Sequence, residues 1–427
     1  MTPEPTGEVP APTKPHFLRR VQIRNYKSIA FCDVTLEPLT ILVGRNATGK
    51  SNFLDALGFL RDVVVKGVRE AVSLHGGRDA VLSRTANTQS ITIRVETAFE
   101  AQDQAQSWEA TFAIQVGMPA NAAAILTNES MEIHSPLHSH FPGYEVHAGR
   151  VRWTGEAASV LNGAWSSVDR LYLEATRGAQ PFQRFYQCVE QFFAYSFSPE
   201  VMRLPQLPTP GEFLKSDGSN LASVYKSTMA ADPAAAKRAT RYLNAVARSV
   251  EFAGVLSAGG YEIMEFDTSG NVDDWNGPPR KADRFPAASM SDGTLRAFAA
   301  VMAAFQTVAP YGSPSLVAIE EPETALHPAA MRALVAALDE ATWRTQILIT
   351  THSPDLLDAE EVKPANLRVV ELVEGHTVIG PVDAANAEVV ERGLTTLGGL
   401  ERDRQLIVDL DDRDRQAELA GRERVHS

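Results

Sequence analysis

The octapeptide Gly44-Arg45-Asn46-Ala47-Thr48-Gly49-Lys50-Ser51 constrains this chain more than any other stretch. An apolar run, Leu39 to Val43, leads into it, and a helical pattern beginning Asn52-Phe53-Leu54-Asp55-Ala56-Leu57 leads out. Strand, glycine-bounded loop, Lys-Ser and helix together make a phosphate-binding P-loop in the context it needs. Glycines let successive backbone N–H groups turn inward, and the positive end of the following helix deepens that anion-binding concavity. Lys50 can reach β- and γ-phosphates, and the Ser51 hydroxyl can sit on Mg²⁺. The candidate nucleotide-binding residues here are Gly44, Asn46, Gly49, Lys50, Ser51 and Asn52.

A second constellation lies far downstream. Ser291-Asp292-Gly293-Thr294 precedes an apolar helical stretch, and Ser315 to Ile319 reads as a buried strand ending in Glu320-Glu321-Pro322-Glu323. Acidic residues at the carboxyl end of a parallel strand face the crevice where α/β folds place ligand chemistry. One carboxylate can serve the Mg²⁺ shell and the next can take a proton from attacking water. After Leu326-His327-Pro328 and a helix, a further strand, Gln346 to Thr350, ends in Thr351-His352-Ser353-Pro354.

In this order IRNYKSI, GRNATGKSN, DGSNLA, MSDGTLR, IEEPETALHP and ITTHSPDLLD, spread from residue 23 to 358, resemble the ABC-type ATPase heads of the RecF, SMC and OLD-like group. Within it the chain is similar to the short bacterial "AAA family ATPases". The resemblance implies an α/β P-loop NTPase, an ABC-type head with an antiparallel β lobe and a mainly helical insertion. It assigns Ser291 and Gly293 to the signature that caps the nucleotide of an opposite protomer, Glu320 to the metal position, Glu321 to the catalytic carboxylate and His352 to the γ-phosphate switch. It implies ATP and Mg²⁺ as cofactors and a homodimer sandwiching two nucleotides. Glu320 is one methylene longer than the usual Asp, and Gln187, Gln191 and Gln206 stand as alternatives for the Q-loop.

Composition narrows the partners. A net charge of −13 over 427 residues argues against a body coated with nucleic-acid-binding surface, so DNA contact requires a local patch. The best one is Lys237, Arg238, Arg241 and Arg248 on an expected helix from Pro233 to Val250; a solvated helix face is the plainer reading. Two distant cysteines, Cys32 and Cys188, form no CxxC, which excludes a zinc hook and fits a reducing cytoplasm. No apolar run approaches the ~20 residues that span a bilayer. No heptad array separates the nucleotide motifs, which excludes long SMC-type arms.

Local patterns give further expectations. Phe17 to Ile29 and Phe31 to Leu36 read as a hairpin; Ile91 to Phe99, Trp108 to Val116 and Tyr144 to Trp153 as strands; and Met118 to Pro142 as a loop whose histidines His134, His138, His140 and nearby His147 are solvated. Gln180 to Tyr195 reads as one helix with an aromatic core stripe, and Asn220 as the cap of a helix from Leu221. Gly254 to Thr268 is β-like and Asp273 to Ala287 a loop. Leu406 to Asp412 has the look of a TOPRIM strand but is expected not to be one. The expected division is a leader at 1–16, lobe I at 17–200, an arm at 201–285, lobe II at 286–381 and a tail at 382–427. Functionally, the resemblance implies a DNA-associated ATPase switch in repair or phage defence, or else a nucleotide-gated scaffold for a separately encoded effector such as a nuclease.

Overall fold

The computed structural model describes residues 17–83, 88–100, 107–134, 143–154, 167–247, 250–268 and 284–422. Two large sheets and a small one organise them. The first is antiparallel, in the order β2-β1-β4-β5-β6-β7-β8: β1 Leu18–Tyr26, β2 Ile29–Thr35, β4 Ser90–Glu100, β5 Ser107–Gly117, β6 Ile125–His134, β7 Tyr144–His147 and β8 Arg150–Trp153. β1 shows how: Val21 and Ile23 face inward while Arg20, Gln22 and Arg24 are partly exposed, the period of two that a half-buried strand requires.

The second sheet runs β16-β15-β3-β14-β13-β9: β3 Leu39–Val43, β9 Phe192–Tyr195, β13 Leu316–Glu320, β14 Gln346–Thr351, β15 Leu367–Val373 and β16 His376–Gly380. All its pairings are parallel except β15 with β16. β3 and β14 are buried at every position, as befits strands covered on both faces. Strand alternation divides their side chains between two cores. Leu42, Leu316, Ala318 and Leu348 join the core beneath the antiparallel sheet. Ile41, Val43, Val317, Ile319, Ile347 and Ile349 join the core on the opposite face. The parallel sheet is thus a septum, with the P-loop at its carboxyl edge.

Helices close both faces. On the first lie α1 Lys50–Lys66, α2 Val68–Leu74, α3 Tyr172–Thr176 and α4 Phe182–Glu190. Phe53, Leu54, Ala56, Leu57, Leu60, Val63 and Val64 give α1 its buried stripe, and Gly67, at φ 97, ends it. On the second face lie α5 Leu221–Ala231, α6 Pro233–Val246, α7 Asp292–Phe305 and α8 Pro328–Ala341. The 201–285 segment adds a three-stranded sheet, β10 Glu251–Ala258, β11 Tyr261–Asp267 and β12 Arg284–Pro286. α9 Ala384–Glu391, α10 Leu397–Arg402 and α11 Leu410–Arg422 follow the septum. No helix among the described residues is long and apolar enough to cross a membrane.

Several local expectations are corrected. The Met118–Pro142 loop contains β6, a full partner of β5. Its inward face carries Glu129, 1% exposed, and a register shift beside Val116 displaces Leu126, so no apolar alternation survives in the sequence. The Gln180–Tyr195 helix stops at Glu190, and Phe192–Tyr195 becomes β9, pairing with β13. Its aromatic stripe is core as expected: Phe182, Phe185, Tyr186 and Phe192 are buried. Tyr144 to Trp153 is a hairpin rather than one strand. Asn220 does not cap α5 with its side chain; its carbonyl accepts from Lys215 N at 2.8 Å and its amide donates to Phe213 O at 3.0 Å. α6 ends at Val246, and residues 284–286 of the expected Asp273–Ala287 loop form β12. His138, His140, Arg248 and the rest of that loop, 273–283, lie outside the described residues.

Candidate functional site

The register of the septum assembles the site. Leu42 pairs with Thr350, and Thr350 with Glu320, so the ends of β3, β14 and β13 share one row. At the usual interstrand spacing that row spans about 10 Å. The P-loop leaves β3, His352 follows β14 and Glu321 follows β13.

Two glycines of the P-loop are fixed by close approach. A Cβ on Gly44 would sit 2.3 Å from Val370 O of β15, and one on Gly49, at φ 108, would sit 2.1 Å from Thr377 Oγ1 of β16. Thr377 Oγ1 in turn donates to Thr48 O at 2.8 Å, Ser28 Oγ lies 2.7 Å from it, and Asn52 Nδ2 donates to Ser28 Oγ at 2.6 Å. Asn52 therefore braces the loop from behind. Lys50 is buried, its Nζ donating to Gly44 O at 2.5 Å and Arg45 O at 3.0 Å. Burial lowers its pKa, against the opposing pull of Glu321, Glu323, Glu401 and Glu320. Asn46 and Ser51 are exposed.

Glu321 adopts φ 40, a left-handed conformation unusual for a side-chain-bearing residue, held by hydrogen bonds from its N–H to Thr350 O at 3.2 Å and Thr350 Oγ1 at 3.1 Å. Its Oε1 lies 3.1 Å from His352 Nδ1, which couples the two residues singled out at the ends of different strands. Glu323, the last acid of the same run, has no role assigned from the sequence motifs. It is 3% exposed, accepts from Thr351 Oγ1 at 2.5 Å, and its Oε2 has no hydrogen-bond partner among the described residues. Burial raises its pKa. The signal was present: a third carboxylate, two residues on, at the end of a fully apolar strand.

Ser291 is exposed and caps α7, its Oγ accepting from Thr294 N at 3.2 Å. Gly293 is buried, and a Cβ there would lie 2.2 Å from Ala325 O. Arg203, unremarked in the sequence, braces this turn by donating to Met290 O at 2.8 Å and pairing with Asp292. Neither Ser291 nor Gly293 lines the cavity at the P-loop, and neither do Gln187, Gln191 or Gln206. That cavity, of about 1050 Å³, is bounded by Gly44 to Thr48, His352, the end of β15 with the turn after it, and residues 401–413; Gly49, Lys50, Ser51, Glu320 and Glu321 are not in its lining.

Among the described residues no three His, Cys, Asp or Glu side chains cluster to hold a metal by themselves. A P-loop Mg²⁺ takes hard oxygens, several of them from phosphate and water. The Ser51 hydroxyl, Glu320 and the unpartnered Glu323 Oε2 are donors of that kind and could hold it.

The basic stripe fares differently. Arg238 and Arg241 lie 3.5 and 3.1 Å from the Glu340 carboxylate of α8, which neutralises part of the patch. Residues 119–358 match the family described as "AAA domain, putative AbiEii toxin, Type IV TA system", and residues 17–133 match "AAA ATPase domain". No curated protein matches significantly. Among solved structures, an SMC head bound to the C-winged helix domain of ScpA aligns at 12% identity and a TM-score of 0.50, covering 87% of this chain and 99% of that one. A second SMC head domain, with an extended coiled coil and bound to the C-terminal domain of ScpA derived from Pyrococcus furiosus, aligns at 9% identity and 0.50, covering 89% and 99%. At such identities the likeness concerns the fold, which is that of an ABC-type, SMC-like ATPase head.

Proposed function

The chain belongs to the AAA-domain family matched over residues 119–358 and is a P-loop ATPase of that kind; from this premise we propose that it hydrolyses ATP with Mg²⁺ as one half of a dimer closed around two nucleotides. Gly44, Asn46, Gly49, Lys50 and Ser51 take the phosphates, and Ser51 and Glu320 would hold the ion, which would supply neutralisation of phosphate charge. Glu321 orients the attacking water and accepts its proton, while His352, bonded to Glu321, senses the γ-phosphate. Ser291 and the backbone at Gly293 are offered to the partner's nucleotide, in keeping with the exposure of Ser291. The observation that carries this reading is the Glu321–His352 hydrogen bond at the strand ends beside the P-loop. We retain the division at 17–200, 201–285, 286–381 and 382–427 as its working anatomy.

The test is hydrolysis against protein concentration, with light scattering in the presence of ATP. Ser291→Arg should leave nucleotide binding intact while abolishing both the ATP-dependent dimer and turnover. Turnover that is independent of concentration and unaffected by Ser291→Arg overturns the shared site.

For the output of the switch, we favour a protein effector over direct DNA contact. The Glu340 pairing of Arg238 and Arg241 weakens the stripe on which DNA binding rested, and the toxin–antitoxin wording of the family description supports a defence setting. DNA-stimulated hydrolysis that falls steeply with salt would restore the DNA reading instead.

A further inference from the structure

The wall of the nucleotide cavity facing the P-loop comes from the C-terminal tail. Glu401, Arg404 and Arg413 line the same space as Gly44 to Thr48. This wall is part of the folded body. Arg402 Nη2 donates to Asp355 Oδ1 at 2.6 Å and Asp358 Oδ2 at 2.9 Å, and Gly398 N donates to Asp358 Oδ1 at 3.0 Å. Gly398 comes so close to Pro354 O that a Cβ would sit 2.2 Å away. Asp383 N donates to Ile407 O and Asp409 N to Pro381 O, while Leu400, Leu406 and Val408 are buried in the second core. α10 is therefore clamped to the turn that begins two residues after His352.

Three features of this wall point to an anion. Arg404 and Arg413 have no ion-pair partner among the described residues, in a chain of net charge −13 that offers many carboxylates. Arg404 sits at φ 58 just past the end of α10, a position where Gly or Asn is the unstrained choice. Such a backbone outlier motivates a functional reading of the side chain it carries. Glu401, partly exposed, lines the same cavity as Arg45, a P-loop cation that a triphosphate would engage.

We propose that the tail is a nucleotide-binding element of its own chain: Arg404 and Arg413 hold the polyphosphate of a nucleoside triphosphate, and Glu401 competes with that polyphosphate for the P-loop cations. Entry of the triphosphate displaces the Glu401 carboxylate from those cations, while α10 itself stays clamped to the turn after His352. The proposal rests on assigning this cavity to the nucleotide, and it makes opposite predictions for neighbouring charges.

The experiment measures ATP affinity of the full chain by calorimetry, alongside its melting temperature without nucleotide. Arg404→Ala and Arg413→Ala should each weaken binding about tenfold, the scale of one charge-assisted hydrogen bond. Glu401→Gln should tighten it severalfold. Arg404→Gly, which relieves the backbone, should raise the melting temperature and still bind weakly, separating the side chain's role from folding. Unchanged affinity in the Arg404→Ala/Arg413→Ala double variant and in Glu401→Gln overturns the proposal. Lys50→Ala is the control: if it too binds normally, the cavity is not the nucleotide site and the underlying reading fails instead.

Discussion

Glu321→Gln isolates the chemistry with the least disturbance of structure. Glutamine keeps the length of the side chain and a carbonyl oxygen that can accept from His352 Nδ1, so the contact now at 3.1 Å can persist. What it loses is the ability to take a proton. A positioned general base contributes about 10²–10⁴ in rate, so kcat should fall by that factor while ATP affinity stays equal or tightens, because one negative charge leaves the set that faces Lys50. Phosphate release at saturating ATP reads the first quantity, and a fluorescent-nucleotide titration reads the second. The backbone supplies an independent check. A side-chain-bearing residue in the left-handed region carries about 1–2 kcal/mol of strain, and glycine relieves it at an entropic cost of about 0.5–1 kcal/mol. Glu321→Gly and Glu321→Ala should both be inactive, with the glycine variant more stable to urea by about 0.5–1 kcal/mol. A Glu321→Gln protein within threefold of the parent kcat, or an alanine variant more stable than the glycine one, refutes this account.

Three other outcomes follow from the geometry. Gly49→Ala adds a Cβ 2.1 Å from Thr377 Oγ1 at φ 108, so it should cost about 3 kcal/mol in urea unfolding and abolish ATP binding. His75 lies 2.9 Å from Asp55 and 3.2 Å from Asp62; burial alone would lower its pKa, but the two carboxylates raise it to about 9. Its stabilising contribution is complete below pH 6.5 and is lost as pH rises through about 9, so urea midpoints should decline over that window in the parent and less in His75→Gln. Glu129 accepts from Tyr144 Oη at 2.6 Å, Tyr172 N at 2.7 Å and Leu173 N at 2.9 Å. Glu129→Leu strands those three donors and should cost about 3 kcal/mol, and a gain in stability would contradict the role assigned to it.

What the sequence disclosed, and what it hid, follows from where each signal resides. β3, β13 and β14 are readable because a septum buried on both faces is written as mostly apolar runs, each followed directly by a site motif. β6 is hidden because the partners of its inward acid, Tyr144 and the start of α3, lie 15 and 43 residues away. β9 is hidden because Phe192 and Phe193 prolong the aromatic spacing of α4, and only parallel pairing with β13 selects the extended form. The tail shows the same limit at the site itself. Glu401, Arg404 and Arg413 look like solvated charge in a mixed-charge segment, and nothing nearby in sequence says otherwise. They reach the cavity because the chain crosses the septum at β15 and β16 and then returns through α10. That crossing is also what makes Gly44 and Gly49 obligatory, since the atoms crowding them belong to Val370 and Thr377, more than 320 residues downstream. The P-loop motif is thus local in sequence but not in structure: its curvature depends on strands that also hold the tail over it.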